Sequence, residues 1–265
     1  MRATARLVAV ADPGGGTRLA VLRGQSPLLP RRTAGRPGEA QVHLVGGAAG
    51  PLGGDDLTIE VRVEAGARLC VRSVAAAVAL PGPDGARSVL RVRATVAPGA
   101  SLRWLPEPLI AAAGCRHDAV SVVEVAAGGA LVWRDELVCG RHGEAPGTVG
   151  LDTTIRYATT TLYRHQLAVG PSAHGWSGAA VLGAGRSTGS VVVIDPGWTG
   201  PGPPPAAPLG AAAAVMPLTG PAVLATAVGP DLRAVRAALD PFAGRTPQPL
   251  TRPAGPPPAP HLAGV

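Results

Sequence analysis

The chain has 265 residues, 46% hydrophobic and 15% charged, and its 24 basic against 17 acidic side chains give a formal net charge of +7. That length can bury a core of its own in one or two domains. No apolar run reaches the roughly 18–20 residues of a membrane span, and the start lacks the basic, apolar, A-x-A pattern of a secretory signal.

Residues 1–36 hold seven Arg against Asp12. No aromatic residue lies among them, so the stacking groups of a nucleic-acid module are missing. Every basic residue is Arg, and the chain has neither Lys nor Asn. We read that skew as a GC-rich genome, which weakens composition as a guide to fold. Glycine (37) and proline (29) are abundant for the same reason.

Further along, Leu57–Val63 alternates apolar and polar residues, the period of a strand with one buried face. Leu90–Val96 alternates likewise, Val120–Val125 is a β-branched run, and Ser190–Ile194 reads as a buried strand. A repeat joins these runs: Glu64-Ala65-Gly66-Ala67-Arg68-Leu69, Ala97-Pro98-Gly99-Ala100-Ser101-Leu102 and Ala126-Ala127-Gly128-Gly129-Ala130-Leu131. Each is a Gly turn, a small residue and Leu; Gly14–Leu19 is a looser relative. Strand, Gly turn, strand describes an antiparallel sheet that keeps winding, as a layered sandwich or a solenoid-like stack. Gly-Ala turns also arise by chance in such a composition, and the all-β reading holds in either case. The chief helix candidate is 231–242, with Asp231 as N-cap and Leu232, Val235 and Leu239 on one face. We place a single β domain at 1–243. Thr199–Pro208 reads as a Gly/Pro loop and 244–265 as a Pro-rich, disordered tail.

Catalytic motifs are absent. His174-Gly175-Trp176-Ser177-Gly178 lacks the second Gly of a nucleophile elbow, because Ala179 stands there, and no helix follows. Gly183–Gly189 imitates a dinucleotide loop, but it leads from a strand-like Ala179–Leu182 into Val191–Ile194 and so reads as a hairpin turn. Cys115 with His117 and Cys139 with His142 are the soft-ligand clusters, at spacings that are not those of structural zinc. Three cysteines cannot pair completely and form no CxxC, which places the chain in a reducing, cytoplasmic setting.

The carboxylates in apolar surroundings are more informative. Asp55 follows Gly53-Gly54, as a turn or capping residue would. Asp135 interrupts the apolar run Leu131–Cys139. Glu107 lies between Pro106 and Pro108, and must find a partner, with Arg141 a candidate, or carry a raised pKa.

Taken in order, Gly53-Gly54-Asp55, the strand with Gly66-Ala67-Arg68-Leu69, Trp104-Leu105-Pro106-Glu107-Pro108-Leu109-Ile110, Trp133–Glu136, and Gly140-Arg141 with Gly143-Glu144 resemble the urease accessory protein UreD family, called UreH in some organisms. The resemblance is clear over about 40–145. It departs at Ser73–Leu80, where the family often has Thr, Lys and an aromatic, in the tightened His142-Gly143-Glu144, and in the Pro-rich end.

That resemblance implies a helix-like stack of strands with one or two short helices near the C-terminus. It implies no enzyme and no tightly bound cofactor, but a maturation factor that with UreF and the GTPase UreG docks on apo-urease. Nickel would pass in transit from the GTPase through water-filled passages in UreF and then in this protein. A conduit must bind its ion weakly enough to release it, which suits single carboxylates with water rather than thiolates or clustered imidazoles. Asp55, Glu107, Asp135 and Glu144 are therefore the expected lining residues, with Arg141 orienting one of them. The same four residues would equally serve as internal salt-bridge partners holding the strands. A β-rich binding module without a metal role is the alternative function. Expressed alone, a long scaffold of this kind is expected to be poorly soluble.

Overall fold

The computed structural model describes residues 1–247 and Pro249. Four strands open it: β1 (Arg2–Ala11), β2 (Thr17–Arg23), β3 (Leu28–Thr33) and β4 (Ala40–Gly46). Three similar turns of chain follow. The first is β5 (Asp56–Val63) and β6 (Arg68–Ser73), with the short β7 (Ala77–Ala79). The second is β8 (Ser88–Val96), β9 (Ser101–Leu105) and β10 (Leu109–Ala111); the third is β11 (Arg116–Val125) and β12 (Ala130–Val138). Then come β13 (Thr148–Tyr157), β14 (Thr160–Val169), β15 (Ser187–Ile194), β16 (Ala207–Gly210), β17 (Ala213–Leu218), β18 (Ala222–Gly229) and one helix, α1 (Leu232–Ala243). The expected strands at 57–63, 90–96, 120–125 and 190–194 lie within β5, β8, β11 and β15, and the solenoid-like, all-β architecture is the one that forms.

Two sheets result. The first has the order β14-β13-β11-β8-β5-β1-β2, and the second runs β16-β17-β18-β15-β12-β9-β6-β4-β3, with β7 and β10 attached at its side. The expected antiparallel pairing needs correction. In the wound part β1, β5, β8, β11 and β13 are parallel neighbours, and so are β4, β6, β9 and β12. Antiparallel pairs are confined to the ends of the stack, such as β1 with β2 and β13 with β14. The repeated Gly turn does not fold a strand back on its neighbour; it carries the chain from one sheet to the other, so each strand meets its equivalent one full turn later, running the same way. Gly66, Gly99 and Gly128 all stand at these corners with φ between 69° and 78°, the left-handed region that a side chain disfavours. The corners also stack: Ala97 N–H donates to Val63 O, and Ala126 N–H donates to Val96 O, at 2.9 Å each.

Alternation puts Ile59, Val61, Val92, Leu102, Leu131 and Val192 between the sheets. Trp104 and Trp133, paired in register on β9 and β12, stack there with ring centroids 5.1 Å apart and planes 11° from parallel. The outer face of the first sheet is wet and laced with cross-strand ion pairs such as Arg156–Glu124. The outer face of the second carries an apolar patch, with Val132, Val191, Val193 and Val223 covered by Val235 and Leu239 of α1. Asp231 caps that helix as expected, its side chain accepting from Ala234 N–H at 2.8 Å. Gly189 of β15 lets α1 sit close, since a Cβ there would lie 3.0 Å from Leu239 Cδ1 and 3.1 Å from Val235 Cγ1.

One local expectation fails. Residues 179–182 form turns rather than a strand. Ala179, Ala180 and Val181 are exposed and have no apolar face to bury, so a strand there would have nothing to pack against. Of the expected tail at 244–265, residues 244–247 and Pro249 are described and the rest lies outside the described residues.

Candidate functional site

The inter-sheet layer is not filled throughout. A cavity of about 650 Å³ separates the sheets, bordered by Leu57 and Ile59 of β5, Trp104 of β9, His117 of β11, Leu151 of β13 and the segment 73–78. A smaller one of about 200 Å³ lies beside it, bordered by Thr153, His165, Leu182, Ser190 and Thr226. Asp135 and Leu151 border both.

The four expected carboxylates divide into two pairs. Glu107 and Asp135 border the larger cavity, whereas Asp55 and Glu144 do not. Asp135 comes inward because β12 alternates: Trp133 and Asp135 face the first sheet, Arg134 and Glu136 face α1. Its carboxylate accepts from Trp133 Nε1–H at 3.1 Å and from Thr153 Oγ1–H at 2.8 Å. Burial raises the Asp135 pKa above the usual carboxylate range, and those two hydrogen bonds offset only part of the shift.

Glu107 has partners, but not the expected one. Its Oε2 accepts from Arg236 Nη2 of α1 at 2.9 Å, and Arg134 comes within 3.9 Å. Arg141 is instead committed to Glu144, donating from Nη2 at 2.7 Å, from Nε at 2.9 Å and from its own N–H at 3.0 Å. The charged Arg141 fork and this N–H hold the Glu144 pKa down at about 2. Gly140 (φ +83°) and Gly143 (φ +70°) make the tight turn that allows it. Asp55, 5% exposed, accepts from Leu52 N–H at 2.9 Å and from the Met1 ammonium group. Its loop still reaches the cavity, because Gly50 and Pro51 border it.

Sequence reasoning missed Glu136. Its side chain is 1% exposed and bound to Arg236 at 2.7 Å and to Arg134 at 3.6 Å. A signal existed: Arg134 and Glu136 alternate with Trp133 and Asp135, so both faces of β12 carry charge, and a face with buried charges needs a covering element with the complement. The Cys/His clusters make no metal centre. Burial pushes the thiols of Cys115 and Cys139 up to about 11 and His117 down to about 4. No group of three His, Cys, Asp or Glu is placed to hold a metal ion among the described residues. His117 Nδ1 pairs with Ser88 Oγ at 2.9 Å.

The sequence model described as UreD urease accessory protein matches residues 1–260. The chain belongs to the UreD family. The urease accessory protein UreD of Streptomyces coelicolor is 46% identical over 241 residues, covering 91% of this chain and 94% of that protein. Its counterpart in Streptomyces avermitilis is 46% identical with 91% and 95% covered, and that of a Parafrankia species 43% with 92% and 88%. Membership in the UreD family makes this an accessory protein with a role in urease maturation. The motifs that carried the UreD resemblance have structural work in this chain. Gly53 lies flush against Gly82, where a Cβ would come 2.4 Å from the Gly82 nitrogen, and the Gly-Arg and Gly-Glu elements are the two halves of the Arg141–Glu144 turn. No helix among the described residues is long and apolar enough to cross a membrane.

Proposed function

We propose that the chain is a non-catalytic scaffold which, with UreF and the GTPase UreG, docks on apo-urease in the cytoplasm and conducts Ni²⁺ toward its active site. One observation supports this reading above the others: of the expected carboxylates, Glu107 and Asp135 border the space between the sheets, as Glu136 also does, and Asp135 stands where the larger cavity meets the smaller. An ion moving through would meet them in series. A lone carboxylate with water exchanges a first-row divalent ion readily, whereas thiolate or clustered imidazole would retain it. Asp135 favours its proton, so a cation must displace that proton to bind and regains a competitor as it leaves. Asp55 and Glu144 act here as loop fasteners beside the passage rather than as stations within it.

The test is urease activity in cells carrying the host urease operon with and without this chain, at matched urease subunit levels and ample nickel. The expected result is loss of activity with normal amounts of apo-urease. Glu107→Gln and Asp135→Asn should then lower activity while soluble chain and its co-purification with UreF and UreG persist. Unchanged activity without the chain overturns the reading.

A further inference from the structure

Glu107 borders the cavity, yet it is not a free ligand. The Arg236 Nη2 that it accepts from at 2.9 Å also donates to Glu136 Oε2 at 2.7 Å, and Arg236 Nε donates to Glu136 Oε1 at 3.0 Å. One guanidinium nitrogen thus stands at the point where two carboxylate oxygens converge. The three groups come from three separate pieces of chain: Glu107 from the linker between β9 and β10, Glu136 from β12, and the cation between them from α1. Glu136 is desolvated at 1% exposure and Glu107 is one-third exposed.

Two convergent carboxylates, one of them out of water, make an oxygen site that would hold a divalent ion firmly. For a chain that hands its ion on, such a site is a trap. We infer that Arg236 is a resident counter-cation: tethered between Glu107 and Glu136, it keeps the pair from binding Ni²⁺ and leaves Glu107 able to touch a passing ion only briefly. This inference rests on the transit reading above. Arg134 lies near both carboxylates, its Nε 3.6 Å from Glu136 and its Nη2 3.9 Å from Glu107, but neither contact is a hydrogen bond and that Nη2 is occupied by Pro106 O at 2.8 Å, so it does not bridge the pair as Arg236 does. Arginine suits it, since the planar fork makes several bonds at once and stays charged at any working pH. Asp240, also on α1, approaches Arg134 rather than Arg236, at 3.8 Å, so it does not compete for the same cation.

A plain fastening role for Arg236 predicts a looser α1 and no change in metal affinity; a counter-cation predicts a gain. The assay is equilibrium dialysis of the full chain against NiCl₂. Arg236→Met should bind one additional Ni²⁺ about tenfold or more tighter than the parent. Arg236→Lys should behave as the parent, and adding Glu107→Gln to Arg236→Met should abolish the gain. A folded Arg236→Met chain, judged by near-UV circular dichroism, that takes up no additional nickel overturns the inference. If that variant does not fold, hydrogen exchange on the parent decides. Nickel reaching Glu107 must release Arg236, so protection across 232–243 should fall as NiCl₂ rises to millimolar levels, and not in Glu107→Gln. Unchanged protection overturns it. Neither assay reads urease activity, so failure here is distinct from failure of the transit reading.

Discussion

Asp135 and Thr153 are hydrogen-bonded at 2.8 Å across the space between the sheets, one from β12 of the second sheet and the other from β13 of the first. This bond ties the two sheets at the place where the cavities adjoin, and it does so with a group that resists ionisation. The pH dependence follows from that resistance. Asp135 titrates higher when folded than when unfolded, so the protonated group is the one that favours the fold. As pH rises above the ordinary carboxylate value, the unfolded chain ionises first and stability is lost. Asp135→Asn removes this penalty and keeps an acceptor for Thr153. Thermal melts from pH 4 to pH 7.5 should show the variant gaining on the parent as pH rises. A constant offset would mean that Asp135 is already ionised in the fold.

The stacked corners give a backbone prediction. Gly99 has φ +69° in the second of three equivalent turns, and its N–H donates to Gly128 O at 3.3 Å. An L side chain in the left-handed region costs about 1–2 kcal/mol, so Gly99→Ala should destabilise by about that amount in urea unfolding. Gly129, beside the next corner, does not have positive φ, but a Cβ there would lie 3.0 Å from Ala97 O, so Gly129→Ala fails by crowding.

These corners mark how far the sequence alone could be read. Period-2 alternation located β5 and β8, which bury one face, and β-branched runs located β11 and the fully buried β15. The repeat of a Gly turn, a small residue and Leu located the corners. Strand direction was not legible: a Gly turn between two strands has the same residues whether it folds a hairpin or bridges two sheets. Only the distant partner, Val63 for Ala97 or Val96 for Ala126, distinguishes them. Glu107 was legible as an anomaly because two prolines and neighbouring hydrophobes surround it. Its partner was not, since Arg236 lies 129 residues away on a helix that offers two arginines, Arg233 and Arg236. The nearer Arg141 was taken by Glu144, three residues on, where a turn with two left-handed glycines costs little loop entropy.

The cysteines offer a simple chemical check. Cys70, Cys115 and Cys139 are all buried, and burial raises each thiol, Cys115 and Cys139 to about 11. Thiolate is the reactive form, so at pH 7.5 the native chain should react with an aromatic disulfide reagent only as fast as it unfolds. In guanidinium chloride all three should react promptly. Fast reaction of a native thiol would show that the core of the stack opens locally.

The edge of the larger cavity carries an exposed apolar side chain, Val74, at 59% exposure in the segment where the resemblance departs from the family. Exposed apolar groups beside an open apolar space favour self-association when no partner covers them. Val74→Ser removes the apolar group without touching a core contact, and should raise the soluble yield of the chain expressed alone. Co-expression with UreF and UreG should raise it further, and should narrow the difference between parent and variant if either covers this edge. Equal yields in every arm would mean that Val74 does not limit solubility.

The Arg141–Glu144 turn makes the opposite pH prediction to Asp135. Glu144 is held at about 2 against an ordinary 4.5, so its contribution is fully present above the ordinary value and is lost as pH falls through about 2. Glu144→Gln should therefore melt below the parent by a constant margin at neutral pH, and the margin should close on acidification. The effect is small because Arg141 is largely in water, where solvent and salt screen the pair. Raising the ionic strength at pH 7 should also narrow the margin. A margin indifferent to both salt and pH would mean that the Glu144 side chain acts by filling space, and that the charge is incidental to the turn.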